Sequence, residues 1–168
     1  MNYQIGDQVI HSTYGPGKIT AIDEKCLGGQ TRQYYVVDTG QLTLWVRIDP
    51  VGENSIRPPT KGFEFKKLFS ILRSPAEELP DQHDERKNKL SGRMNRRDLA
   101  DICSVIRDLT TRSQLHNLNY NDRAVLKHAE DYLLDEWELS LGTARSAATK
   151  ELEGLLQETH TRETSISE

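Results

Sequence analysis

Six basic side chains crowd into twelve residues of this chain: Arg86, Lys87, Lys89, Arg93, Arg96 and Arg97, with no acid among them. Cations at that density neutralise backbone phosphates, and contacts of that kind weaken as salt rises. The same composition is also that of an ordinary solvated helix surface, so both readings stand. A second pair lies in the run LTLWVR. Trp45 and Arg47 are two residues apart and therefore share one face of an extended strand. Tryptophan and arginine dominate the anchors of protein interfaces. The plainer alternative is an aromatic closing the end of a small sheet, beside a solubilising arginine. Tyr14, Tyr34 and Tyr35 either fill a core or line a cage for a methylated lysine.

No catalytic arrangement emerges. The five histidines, at positions 11, 83, 116, 128 and 160, have neither metal-binding spacing nor a nucleophile motif nearby. Cys26 and Cys103 lie far apart in unlike contexts, which suggests no disulfide framework. Gly15–Gly17 and Gly28-Gly29 are short turns without the GK[ST] of a phosphate loop. The expectation is a protein that is not an enzyme and needs no metal or cofactor. A net charge of −4 argues against indiscriminate coating of DNA, but local contacts depend on where charges sit. The start MNYQIGDQV has neither a basic nor an apolar leader segment, and no apolar run is long enough to span a membrane. A cytoplasmic monomer without membrane contact is the default expectation.

Two kinds of element must position these residues. From Gly6 to Ile48, β-prone runs alternate with glycine turns every eight to ten residues, the pattern of a small, bent antiparallel sheet. Gly15-Pro16-Gly17 is a tight reversal and Leu27-Gly28-Gly29 a hairpin connection. Ile19, Ala21 and Ile22 feed a core. In the run from Leu42 to Ile48, Leu44 and Val46 point one way and Thr43, Trp45 and Arg47 the other. Pro50–Pro59 reads as a loop, Ile56 as a last strand contact, and Phe63–Leu72 as a short helix followed by an extended segment. Pro75 and Pro80 bracket a connector. Beyond it the periodicity becomes helical. Ser91-Gly92 divides the basic run into two helix ends, and Asn95 caps the next helix. Leu99, Ile102, Cys103, Ile106 and Leu109 fall on one stripe. Asn119 or Asn121 caps a long helix carrying Leu126, Ala129, Leu133, Trp137 and Leu141. Gly142 ends it, and Ala144, Ala148, Leu152 and Leu155 mark a last helix. With 35% apolar residues in 168, two small cores are affordable. The fold class expected is two-domain β + α: a small, strongly twisted β-barrel at 1–74, a compact four-helix domain at 75–158, and a flexible tail at 159–168.

Taken together, the runs IGDQVIHSTYGPGKITAIDE, QYYVV, LTLWVR, FKKLFSILRSP, LADICSVIRDL and AVLKHAEDYLLDEWELSLG resemble the CarD/CdnL family of bacterial transcription factors, over residues 3–157. The N-terminal part is also similar to the polymerase-binding module of the transcription-repair coupling factor, but this chain has no helicase motifs. The resemblance implies that the barrel at 1–74 is a Tudor-like or SH3-like β-barrel and that it grips the β subunit of bacterial RNA polymerase. It implies too that the helical domain touches promoter DNA at the upstream edge of the melted bubble, supporting the open promoter complex. The two arginines the family uses against the β subunit fall on Lys25 and Arg47. The family's basic patch falls on Arg86, Lys87 and Lys89, joined by Arg93, Arg96 and Arg97. Where well-studied members place a wedge tryptophan, this chain has His83, whose imidazole offers less apolar area than an indole. A rival expectation is a protein-interaction module that binds polymerase or another protein without productive DNA contact.

Overall fold

Two consecutive glycines between runs of β-branched and aromatic residues make a long hairpin the natural first element. The computed structural model describes residues 2–48 and 55–164, with side chains to residue 158. In it, β1 (Gln8–His11), β2 (Gly15–Leu27), β3 (Gln30–Asp38), β4 (Thr43–Arg47) and β5 (Ile56–Arg57) form one antiparallel sheet in the order β4-β3-β2-β1-β5. Leu27 pairs with Gln30 across Gly28 (φ 60°) and Gly29 (φ 78°), the two left-handed residues a type I′ turn requires. Gly17 serves a different purpose. A Cβ there would lie 2.6 Å from Val37 Cγ1, so only glycine lets β2 approach β3 at that point. Among the described residues the strands follow one another as neighbours from β4 to β5, a β unit of five antiparallel strands as expected. The first part of the predicted loop Pro50–Pro59, residues 50–54, lies outside the described residues.

The core of the sheet is Tyr3, Val9, Ile19, Tyr35, Val37, Val46 and Ile56. The Tyr3 ring stands edge-on to Tyr35 at 5.6 Å, and the Tyr3 N–H donates to the Tyr35 hydroxyl at 3.1 Å. The register shifts between Ile19 and Ala21, and this bulge resets the alternation. Ala21 therefore pairs with Val36 on the outer face instead of entering the core, while Ile22, opposite buried Tyr35, is 46% exposed.

The second unit, Lys61–Glu168, is separate from the first, Met1–Thr60. Among the described residues it holds five helices, not four: α1 (Gly62–Leu72), α2 (His83–Arg96), α3 (Leu99–Leu115), α4 (Tyr120–Leu141) and α5 (Arg145–Thr164). The division thus falls after Thr60 rather than after Ser74. Phe65 and Phe69, one turn apart on α1, pack on Trp137 of α4 at 5.4 and 4.8 Å, and Phe65 and Leu72 are fully buried. That aromatic cluster ties the whole of 63–72 to the helical core as one continuous helix. Pro75–Pro80 is not a free connector either. Leu79 is buried and the Glu77 N–H donates to Asp108 Oδ1 at 2.9 Å, so the segment is a strap laid against α3.

The expected stripe of α3 is buried, with Val105 added. α2 runs unbroken through Ser91-Gly92. A mid-helix glycine costs about 1 kcal/mol, which the burial of Leu90 and the half-buried Met94 offsets. α2 is closed by Arg97, its C-cap, in the left-handed region at φ 52°. The cap of α3 is then Asp98 rather than Asn95, its carboxylate accepting from the N–H groups of Ala100 and Asp101. Asn119 caps α4, accepting from the Asp122 N–H at 2.8 Å, and Gly142 ends it at φ 62°. Ala144 is exposed while Ala148, Leu152, Leu155 and Leu156 are buried. α5 continues into the stretch expected to be a tail; residues 165–168 lie outside the described residues.

Burial pushes the Cys103 thiol up to about 12, whereas Cys26 is exposed. A thiol reagent at pH 8 should therefore modify one cysteine in the native protein and the second only on unfolding. Prompt native modification of both would contradict the packing of α3.

Candidate functional site

The β2–β3–β4 register assembles the first candidate surface. Ala21, Val36 and Trp45 form one cross-strand row, Asp23, Tyr34 and Arg47 the next, and Lys25 lies opposite Arg32 beyond them. Residues directly opposite share a face, so Lys25, Trp45 and Arg47 all project from the side away from the core. Trp45 is 47% exposed, and the Lys25 ammonium sits 3.6 Å from its ring centroid, a cation–π contact. A large ring with one edge in water, flanked by cations, suits an acidic or amphipathic protein partner. β4 is also an outer strand of the sheet. The three tyrosines do not converge. Tyr35 is in the core, Tyr34 is on the opposite face of the same strand, and exposed Tyr14 lies against His11 at 5.1 Å. The methyl-lysine cage thus has no geometric support.

The second candidate surface is α2, and here space reverses what the linear order suggested. The run without acids is surrounded by acids from other segments. Arg86 Nε donates to Asp122 Oδ2 of α4 at 2.9 Å, and its Nη1 donates to the carbonyls of Pro80 and Asp81, both at 2.9 Å. The two side chains are 6% and 1% exposed. Arg86 is a structural residue out of reach of a phosphate, so its assignment to DNA contact is corrected. Arg93 Nη1 pairs with Asp108 Oδ2 at 2.8 Å and Nη2 with Glu77 Oε2 at 2.5 Å. Lys89 reaches the same Glu77 oxygen at 3.3 Å. Arg96 forks onto Asp101 through Nε and Nη2 at 2.6 and 3.0 Å. Its guanidinium holds the Asp101 carboxyl below the usual carboxylate range, as Arg93 and then Lys89 do for Glu77. Lys87, Arg96 and Arg97 are exposed, and Lys89 half-buried. Thus Lys87, Lys89, Arg96 and the capping Arg97 face solvent, Arg93 is 13% exposed while paired with Glu77, and Arg86 is buried.

His83 opens α2, exposed, its Nδ1 3.1 Å from Asn119 Nδ2. The next residue, Tyr120, is the first of α4 and is 83% exposed. Sequence reasoning passed over Tyr120 because it sits off the apolar stripe; its place directly after a capping asparagine was the available signal. Arg107 and Asp108 were missed as well. Both are buried, with Arg107 donating to Asp108 Oδ1 at 2.8 Å and to Ser74 Oγ at 2.6 Å. Two charges inside the apolar run of α3 were their signal. A cleft of about 230 Å³ beside the strap is lined by Glu77, Glu78, Asp81 and Asp108 with Arg112 and His116.

Among the described residues, no three His, Cys, Asp or Glu side chains gather as metal ligands, and no helix is long and apolar enough to cross a membrane. Comparison with known proteins matches both units. Residues 3–50 match the family described as CarD-like/TRCF RID domain, and residues 67–153 match that described as CarD, C-terminal domain. The Bacillus subtilis (strain 168) protein named "Putative transcription factor YdeB" is 25% identical over 142 residues, covering 83% of this chain and 93% of that protein.

Proposed function

This chain belongs to the CarD family, and from that premise we propose that it regulates transcription by gripping the β subunit of RNA polymerase and prolonging the open promoter complex. The observation that carries this reading is the outer sheet face, where Trp45, held by Lys25 and flanked by Arg47, stands half in water. In the proposal the helical unit touches promoter DNA weakly, without reading its sequence, at the upstream edge of the bubble. Lys87, Lys89, Arg96 and Arg97 supply the contacts, with His83 at the head of their helix. Attachment to polymerase raises the local concentration of this weak site. Favouring the open promoter requires contacts that are stronger in that state than in the closed one. The protein would act in the cytoplasm, as a monomer, without a catalytic step.

A second reading is favoured by one observation: among the described residues, at least four of the six cations are paired with acids in space. In it the chain binds polymerase and makes no productive DNA contact. Capture of polymerase, and of its isolated β subunit, by wild type and Arg47→Glu tests the first claim. Wild type should retain both, and reversing a charge beside the anchor should weaken capture by about tenfold, about 1.4 kcal/mol. Failure of wild type to retain polymerase overturns the proposal. Polymerase binding without affinity for forked promoter DNA at low salt leaves the second reading.

A further inference from the structure

Lys89 and Arg93 are four residues apart and therefore neighbours on one face of α2. Both reach the same oxygen, Glu77 Oε2, at 3.3 and 2.5 Å. Two cations converging on one oxygen is the arrangement that receives a phosphate oxygen. The supports of the two sides differ. Arg93 keeps a second bond, from Nη1 to Asp108 Oδ2, whose side chain is fully buried. Its guanidinium would keep its orientation if Glu77 left. Apart from these two ion pairs, Glu77 is anchored through its backbone, by the N–H bond to Asp108 and the burial of its neighbour Leu79. Its side chain is 57% exposed and can swing into water without moving the strap.

We infer that Lys89 and Arg93 form a site for a backbone phosphodiester of nucleic acid, and that the Glu77 carboxylate occupies this site as an internal competitor. The inference rests on the weak DNA contact proposed above. It explains how a run of six cations can sit in a chain of net charge −4 without binding nucleic acid everywhere. Glu77, 57% exposed, can exchange its ion pairs for water, and surface ion pairs contribute about 0–1 kcal/mol. A phosphate held nearby by polymerase displaces it, while DNA free in solution at low concentration competes poorly.

The test measures binding of forked promoter DNA by wild type, Glu77→Gln, Glu77→Gln with Lys89→Ala, and Glu151→Gln, from about 50 to about 200 mM salt. Glu151 is exposed on α5, so its variant makes the same charge change elsewhere. Glu77→Gln should bind three- to tenfold tighter at low salt, and its log–log salt slope should steepen by about one. Adding Lys89→Ala should remove the steepening, and Glu151→Gln should leave the slope as in wild type. Inorganic phosphate, compared with chloride at equal ionic strength, should not match the DNA; equal competition would mean a site for free phosphate and overturn the assignment. Wild-type binding with an unchanged slope in Glu77→Gln overturns the inference and leaves the DNA reading standing. No binding by any variant overturns both, whereas binding by Glu77→Gln alone supports the competitor directly.

Discussion

Arg86→Ala is expected to destabilise the helical unit by about 3–5 kcal/mol, the usual consequence of removing one partner from a buried ion pair. The carboxylate left behind, Asp122, is 1% exposed, and its Oδ1 already has no hydrogen-bond partner. The carbonyls of Pro80 and Asp81 would lose their donor in the same step, loosening the strap from the start of α2. Arg86→Lys should recover little, because one ammonium nitrogen cannot take both the Nε position facing Asp122 and the Nη1 position facing the Pro80 and Asp81 carbonyls. Arg86→Met combined with Asp122→Leu should recover most of the loss, since no buried charge is then unpaired. Lys87→Ala, one residue on but exposed, should stay within about 0.5 kcal/mol. Urea unfolding at pH 7, followed by Trp137 fluorescence in a Trp45→Phe background, separates these outcomes. An Arg86→Ala protein as stable as wild type but deficient in DNA binding would return Arg86 to the nucleic-acid surface.

Trp45→Ala should leave folding almost untouched and cost about 2–4 kcal/mol of polymerase binding, a loss of roughly 30- to 1000-fold. Folding is spared because the ring projects from the outer face, and the contact it makes there is with Lys25. Losing an exposed cation–π contact costs about 0.5–1 kcal/mol, so Lys25→Ala should have the smaller effect on both properties. Leu42→Ala is the control for general hydrophobic stickiness. Leu42 is 51% exposed just before β4 and should change binding by less than about twofold. Affinity for the isolated β subunit is the direct readout, with thermal unfolding in parallel. Retained affinity in folded Trp45→Ala would remove the sheet face as the anchor.

The amino-acid order determined the parts of this protein governed by local repeat. The Gly28-Gly29 hairpin, the in–out alternation of β4, the apolar stripe of α3, the Asn119 cap and the Gly142 stop are all where turn chemistry and the periods of strand and helix place them. The shared face of Lys25, Trp45 and Arg47 belongs partly here, because alternation puts Trp45 and Arg47 together, while Lys25 joins them only through the pairing of β2 with β3. What tertiary structure alone decided is the fate of the cations and the allegiance of α1. Arg86 meets Asp122 across 36 residues, and Glu77 meets Asp108 across 31. Charge pairing follows distance in space, so a stretch with no acid in its own sequence can be almost filled by acids from a strap and two other helices. The same holds for α1, whose phenylalanines chose their unit by meeting Trp137, far along the chain. A bulge at one residue turned Ala21 outward for a related reason: register is a property of paired strands, and no single strand carries it.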